Sequence, residues 1–301
     1  MRLFLIRHGE TEHNVAGLLA GVSDSILTNH GVLQTQRLGK HLSTGRSLLF
    51  TRIYASDLQR AYLTAEELRK HQFERWKEIG DVPPVVKLAL LREQDFGSFE
   101  LMPWASKRAN DDALDSRVPN PGDVSFKPKE SLESIGGRAQ EFVADFILPL
   151  LALGSDEAEE ASDRGECVAV VSHGIFLASL WRTLLSIFGP GRVVLGPQVV
   201  PGSAWRPLAY LPSWSNTGYL ELTISRTTAS VGESVAFDLL SGRAPSVPDH
   251  LATFTMNVEM VNGKEHLASL KRTRGGLGSA TFDARQQRLD GFFKRPRTGE
   301  S

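Results

Sequence analysis

Apolar and polar positions along this chain fall into two alternating kinds of block. Short unbroken apolar runs that stop abruptly at a polar residue and a glycine read as buried strands of a parallel sheet. Leu3 to Ile6 is one such run, closed by Arg7-His8-Gly9, and Cys167 to Val171 is another, closed by Ser172-His173-Gly174. Arg52 to Ala55 and Val85 to Leu91 add two more, and Gly218 to Ile224 and Phe254 to Val261 are late strands. Helical patterns lie between them. The segment 32–42 places Val32, Leu38 and Leu42 on one side only loosely, Ser56-Asp57 caps a helix running to about Arg75, Ser131-Leu132-Glu133-Ser134 opens one that carries Phe142, Phe146 and Leu150, and Ile175 to Phe188 forms the helix after the second glycine. Strands that alternate with helices in this way predict an α/β protein, a three-layer α/β/α sandwich around a mostly parallel central sheet. Pro103, Pro119, Pro121 and Pro128 break the middle of the chain, and residues 189–218, rich in proline and glycine, read as a long insertion near the edge of the sheet. No internal repeat is visible.

Polar residues at the carboxyl ends of parallel strands face the edge where open α/β sheets bind ligands. Arg7 and His8 end the first strand, Arg60 falls in the first turn of the helix after the second, Glu93 follows the third, and His173 ends the fourth. Two guanidinium groups, two imidazoles and one carboxylate therefore gather at one edge. Arginine meets phosphoryl oxygens with a planar fork and helix N-termini add backbone donors, so the set suits a dianion. An ionised carboxylate would repel that dianion, which makes sense of Glu93 chiefly as a proton carrier. Each residue also has a plainer reading. A single histidine after an apolar run is most often structural, Arg7 and Arg60 would serve in ion pairs, Asp95 and Glu100 compete with Glu93, and Asn14 would cap a helix entry. His13, His30, His41, His71, His250 and His266 fit no site pattern and read as surface or structural residues.

Composition adds bounds. An apolar content of 41% and a charged content of 23% are ordinary for a globular protein. The formal net charge of -1 conceals an asymmetry, because residues 271–301 hold eight Lys or Arg against three Asp or Glu. That basic stretch is expected to be a flexible tail beyond a domain at 1–270. The acidic run Asp156 to Glu160 reads as a solvated loop. The single cysteine, Cys167, excludes an internal disulfide and lies in a buried strand, so an inert thiol in a reducing compartment is expected. No Cys/His cluster points to zinc. The apolar start is too short for a signal peptide or a membrane span, which leads us to expect a cytosolic or nuclear protein.

At its polar strand ends the chain resembles the histidine phosphatase superfamily, in its phosphoglycerate mutase-like branch and with the look of a fungal-type broad-specificity phosphatase. Arg7-His8-Gly9-Glu10-Thr11-Glu12-His13-Asn14 resembles that family's opening signature, and Gly21 to Gly31 its following loop. Tyr54-Ala55-Ser56-Asp57-Leu58-Gln59-Arg60-Ala61 with Thr64-Ala65 resembles the second-arginine segment, Leu91-Arg92-Glu93-Gln94-Asp95-Phe96-Gly97 the acid segment, and Val171-Ser172-His173-Gly174 the second-histidine segment. Val261 to Leu267 resembles the closing strand. The resemblance implies phosphate-ester hydrolysis of a small substrate through a phosphohistidine, with neither metal nor cofactor. His8 would be the nucleophile and Glu93 the acid, while Arg7, Asn14, Arg60 and His173 bind the phosphoryl oxygens. Members often continue the acid segment as Trp-Glu-Gly, whereas this chain has Phe99-Glu100-Leu101-Met102-Pro103-Trp104, which suggests a rebuilt loop over the site. Mutase-like members carry basic residues just after the acid; Gln94 and Asp95 stand here and favour hydrolysis over a phosphomutase reaction. Trp205, Tyr210 and Trp214 in the 189–218 stretch either roof the pocket or pack as an ordinary loop.

The tail carries a separate signal. Gln286, Leu289, Phe292 and Phe293, followed by Lys294-Arg295-Pro296-Arg297, resemble the spacing of a sliding-clamp (PCNA) interacting peptide. On a short helical turn Leu289 and Phe292 share a face with Phe293 beside them, suited to a surface pocket flanked by acidic groups. The alternatives are docking of this segment on the sheet, nuclear import, or loose nucleic-acid contact without sequence specificity. A rival function follows, a phosphatase-fold nuclear adaptor that works through this tail. The intact charged set at the strand ends favours the enzyme.

Overall fold

The computed structural model describes residues 1–77, 79–104, 119–152, 165–197, 199, 208–211, 214–226, 253–273 and 276–283. In chain order they form β1 Arg2–Arg7, α1 Glu12–Ala16, α2 Asn29–Lys40, β2 Arg52–Ser56, α3 Gln59–Lys70, α4 Phe73–Trp76 and β3 Val85–Leu88. Then come α5 Leu132–Phe142, α6 Leu148–Ala152, β4 Cys167–Ser172, α7 Gly174–Phe188, β5 Val193–Leu195, β6 Tyr219–Arg226 and β7 Phe254–Gly263. The strands make one seven-stranded sheet in the order β3-β2-β4-β1-β6-β7-β5. Strands β3, β2, β4 and β1 pair in parallel; β6 is antiparallel to both β1 and β7, and β5 is parallel to β7. Among the described strands, then, β6 alone runs against the rest.

The alternation of side chains along each strand divides the core in two. Leu3, Leu5, Val168 and Val170 face α5 and α7, where Phe142, Phe176, Trp181 and Leu184 are fully or almost fully buried. Phe4, Ile6, Ala169 and Val171 face the other way, onto Leu38 of α2 and Ala61, Ala65 and Leu68 of α3. This is the expected three-layer α/β/α sandwich. Cys167 sits within it as a free thiol, and burial pushes its pKa up to about 12. No helix among the described residues is long and apolar enough to cross a membrane.

Four local expectations change. The helix expected from Ser56-Asp57 begins at Gln59 after Leu58, whose own side chain cannot cap it. The Gln59 N–H is instead satisfied by Asp24 Oδ1 at 3.0 Å, leaving Asp57 to hold Arg92. That helix stops at Lys70, with α4 as a separate short turn. The third strand ends at Leu88, and residues 89–91 curl into a 3-10 turn. The 189–218 stretch is no mere insertion, because Val193–Leu195 adds an edge strand along β7. Trp214 in it is a core residue, while Tyr210 is exposed. Trp205 and the acidic run 156–160 lie outside the described residues.

Residues beyond 270 also contact the body of the fold. Asn29 N donates to Ala280 O at 3.0 Å, Phe282 N to Leu27 O at 2.9 Å, and Thr28 and Thr281 form a β-bridge. Arg272 pairs with the Glu10 carboxylate just beyond β1. Residues 271–273 and 276–283 are thus fastened to the body of the fold, because the end of β1 and the start of α2 offer backbone groups and a carboxylate that need partners. The tail residues Gln286, Leu289, Phe292 and Phe293 lie outside the described residues.

Candidate active site

The register of β1 against β4 sets Arg7 beside Ser172, and the His8 N–H continues the ladder to Ser172 O at 3.0 Å. His8 and His173 therefore leave adjacent strands at the same level, and their ring centroids stand 5.1 Å apart. Gly9 lets the chain pass close to α2: a Cβ there would lie 2.7 Å from Thr35 Cγ2. The two imidazoles, Arg7, Asn14, Arg60 and Glu93 meet in or behind one cavity of about 330 Å³.

Their hydrogen bonds fix which nitrogen of each imidazole carries the proton. His8 Nδ1 lies 2.7 Å from Gly9 O. A carbonyl oxygen only accepts, so Nδ1 holds the hydrogen and Nε2 keeps a lone pair. In His173 the roles reverse. Arg60 Nε donates to His173 Nδ1 at 3.2 Å, which leaves the ring proton on Nε2, a buried atom without a protein partner. Burial, with the charges of Arg60 and Arg7 beside it, holds the His8 pKa well below 6.5. Burial and Arg60 do the same for His173, with smaller contributions from His8, Arg7 and Arg138. One neutral imidazole offers a lone pair and its neighbour an N–H.

The two arginines are not equivalent. Arg60 is 1% exposed, and besides His173 it donates from Nη1 to Ser23 O at 2.9 Å and from Nη2 to Gly21 O at 2.7 Å and Ala20 O at 3.2 Å. Most of its fork is spent on the loop above it. Arg7 donates from Nη1 to Trp214 O at 2.6 Å, while its buried Nε has no protein partner. Desolvation lowers the pKa of both, opposed in each case by the Glu93 charge.

Glu93 lies at the N-terminus of α7, where it accepts from Ile175 N at 3.1 Å and Phe176 N at 3.0 Å, and from its neighbour Gln94 N at 3.1 Å. His173, the N-cap residue, provides no side-chain cap; Glu93 supplies that service from another segment. The acid segment is anchored by Arg92 to Asp57 at 2.7 and 2.6 Å and by Arg138 to the carbonyls of Leu90 and Arg92 at 2.7 and 2.9 Å. The competing carboxylates are placed elsewhere. Asp95 accepts from Gly97 N, and Glu100 accepts from the backbone of Gly21, Val22, Ser23 and Phe96. Glu100 thereby ties down the loop whose carbonyls hold Arg60.

Asn14 is the helix-entry cap that the sequence offered as its plainer reading. With Thr11 it completes a capping box for α1, and its Oδ1 also accepts from Asn216 Nδ2 at 3.1 Å, yet the residue lines the cavity. Sequence reasoning missed Asn216, which also donates to His8 O at 3.2 Å, and passed over His13, which lines the cavity. It also set aside His266, whose Nε2 meets Thr217 Oγ1 at 2.9 Å behind the His8 backbone. Asn216 lies in a stretch whose composition signals only a loop, so nothing in the chain marked it. Among the described residues no group of three or more His, Cys, Asp or Glu is placed to hold a metal ion.

The family model described as histidine phosphatase superfamily (branch 1) matches residues 3–190. A probable phosphatase of Schizosaccharomyces pombe is 30% identical over 97% of this chain and 79% of its own length. A broad-specificity phosphatase of Saccharomyces cerevisiae is 31% identical over 58% of this chain and 66% of its own length. A mycobacterial glucosyl-3-phosphoglycerate phosphatase, solved with VO3, has a similar fold with a TM-score of 0.54 at 22% identity, covering 87% of this chain and 99% of that one.

Proposed function

Since the chain belongs to the histidine phosphatase superfamily and is a phosphatase, we propose that it hydrolyses phosphomonoesters through a phosphohistidine on His8, without a metal ion. The observation that carries this reading is the opposed tautomers of the two buried imidazoles. His8 Nε2 has a lone pair, and the Gly9 carbonyl secures the opposite ring proton. Nε2 attacks phosphorus while the ester P–O bond breaks. Arg7, the Nε2–H of His173, the remaining Arg60 donor and the Asn14 amide receive the equatorial oxygens. The departing alkoxide takes a proton from the Glu93 carboxyl group. Water then gives a proton to the Glu93 carboxylate and attacks phosphorus, the P–N bond breaks, and inorganic phosphate leaves with His8 neutral again. The proton that Glu93 gives to the leaving oxygen is replaced by one from water, so one carboxylate serves both half-reactions.

Hydrolysis of p-nitrophenyl phosphate by the full chain and by His8→Ala tests the assignment. Loss of turnover is expected; activity near wild type would remove His8 from the mechanism. For the C-terminal segment the spacing of Gln286, Leu289, Phe292 and Phe293 supports a separate proposal, binding to a sliding clamp. Titrating a peptide of residues 280–301 against purified clamp tests it, and binding indifferent to Phe292→Ala and Phe293→Ala would dismiss it.

A further inference from the structure

Besides the imidazoles of His8 and His13, three charged side chains line the cavity among the described residues. Arg7, Arg60 and Glu93 surround the imidazoles of His8 and His173, and the lining contains no lysine and no third arginine among the described residues. The two positions after the acid offer no cation either: Gln94 donates its amide to Glu130 O at 2.7 Å, and Asp95 is an acid turned to Gly97 N. Leu18, Leu19, Phe96 and Trp104 give the same cavity an apolar lip. Two stretches of main chain form this lip as a ribbon, with Leu19 N donating to Met102 O at 2.8 Å, Leu101 N to Leu19 O at 2.7 Å and Trp104 N to Gly17 O at 3.0 Å. Trp104 is 68% exposed. Its indole edge stands 3.7 Å from where a Cβ would lie on Gly17, and Gly17, at φ +67° after α1, carries none. A large flat ring is thus held over a glycine at the mouth of the cavity with most of its surface in water.

We propose, resting on the phosphohydrolase reading above, that this apolar lip receives the alcohol of the substrate and selects monophosphates of flat, uncharged aromatic alcohols. Burying the indole against a second ring removes apolar surface from water and adds an offset-stacked or edge contact. A second phosphate on the alcohol would be desolvated against leucine and aromatic side chains with no further lysine or arginine among the described residues to meet it.

Three substrates with alkyl alcohols of similar acidity separate binding of the alcohol from the ease of its departure: 2-(1-naphthyl)ethyl phosphate, propyl phosphate and propane-1,3-diyl bisphosphate. For the full chain, kcat/KM for the naphthyl ester should exceed that for propyl phosphate by about tenfold or more, and the bisphosphate should fall below propyl phosphate. Trp104→Ala should cut the naphthyl-to-propyl ratio by about tenfold, and Trp104→Phe should keep most of it. Trp104 is exposed, so neither change threatens folding. A wild-type ratio near one, a ratio unmoved by Trp104→Ala, or a preferred bisphosphate overturns the proposal while leaving the phosphatase reading intact. A folded chain that hydrolyses none of the three overturns that reading, and this proposal with it.

Discussion

One carbonyl and one guanidinium decide which nitrogen of each buried imidazole keeps a lone pair. Gly9 O claims the Nδ1 proton of His8, and Arg60 Nε claims the Nδ1 lone pair of His173. Lysine at position 60 would keep the charge but lose the planar fork that reaches His173 and three carbonyls together. Arg60→Lys should therefore lower kcat for p-nitrophenyl phosphate by about a hundredfold or more, read in steady-state kinetics. The same burial has a consequence for stability. His8 and His173 have folded pKa values well below 6.5, and burial lowers His266 to about 4. Above pH 6.5 these imidazoles are neutral in both the folded and the unfolded chain. Below it the unfolded chain binds protons that the folded one refuses, so stability falls as pH drops from 6.5 toward the folded values, by at most about 1.4 kcal/mol per pH unit for each histidine. The urea midpoint should be lower at about pH 5.5 than at pH 7, and a midpoint that rises on acidification would contradict the burial of neutral imidazoles.

Among the elements, the loop 21–23 matters most, because it holds Arg60 with its carbonyls and is itself held by Glu100. Four backbone N–H groups converge on that carboxylate. Glu100→Gln can accept no more than part of this pattern and should cost about 1–3 kcal/mol of stability, with reduced kcat, measured by denaturant unfolding and kinetics on the same preparation. Next to it Leu101 takes φ +60°, a left-handed conformation costly for leucine, with its side chain 45% exposed. Leu101→Gly should raise the thermal midpoint or leave it unchanged, since relief of about 1 kcal/mol of strain opposes the greater freedom of glycine in the unfolded chain. The strands and the long helices were legible because their apolar runs have one burial each, and the strand ends delivered Arg7, His8, Glu93 and His173 to one edge of the sheet. The caps were not legible. Asp24 serves Gln59 and Glu93 serves α7 across long stretches of chain, and no local pattern records a donor met only after folding.

At the scale of the whole molecule, the C-terminal segment bears on stability. Composition alone set residues 271–301 apart as a basic tail; charge counts cannot reveal that Arg272 has a carboxylate waiting at Glu10 or that Phe282 completes a bridge to Leu27. Truncation after residue 283 should leave the thermal midpoint and phosphatase activity close to those of the full chain, whereas truncation after residue 270 should lower the midpoint. Equal midpoints for the two truncations would deny the clasp any part in the fold. The central claim is a double displacement at phosphorus through His8. It is tested most directly by hydrolysing a phosphorothioate monoester made chiral at phosphorus with two oxygen isotopes, in water that carries the third. Two in-line transfers, first to His8 Nε2 and then to water, predict retention of configuration in the inorganic thiophosphate released; inversion would mean that water attacks the substrate directly and would contradict the account.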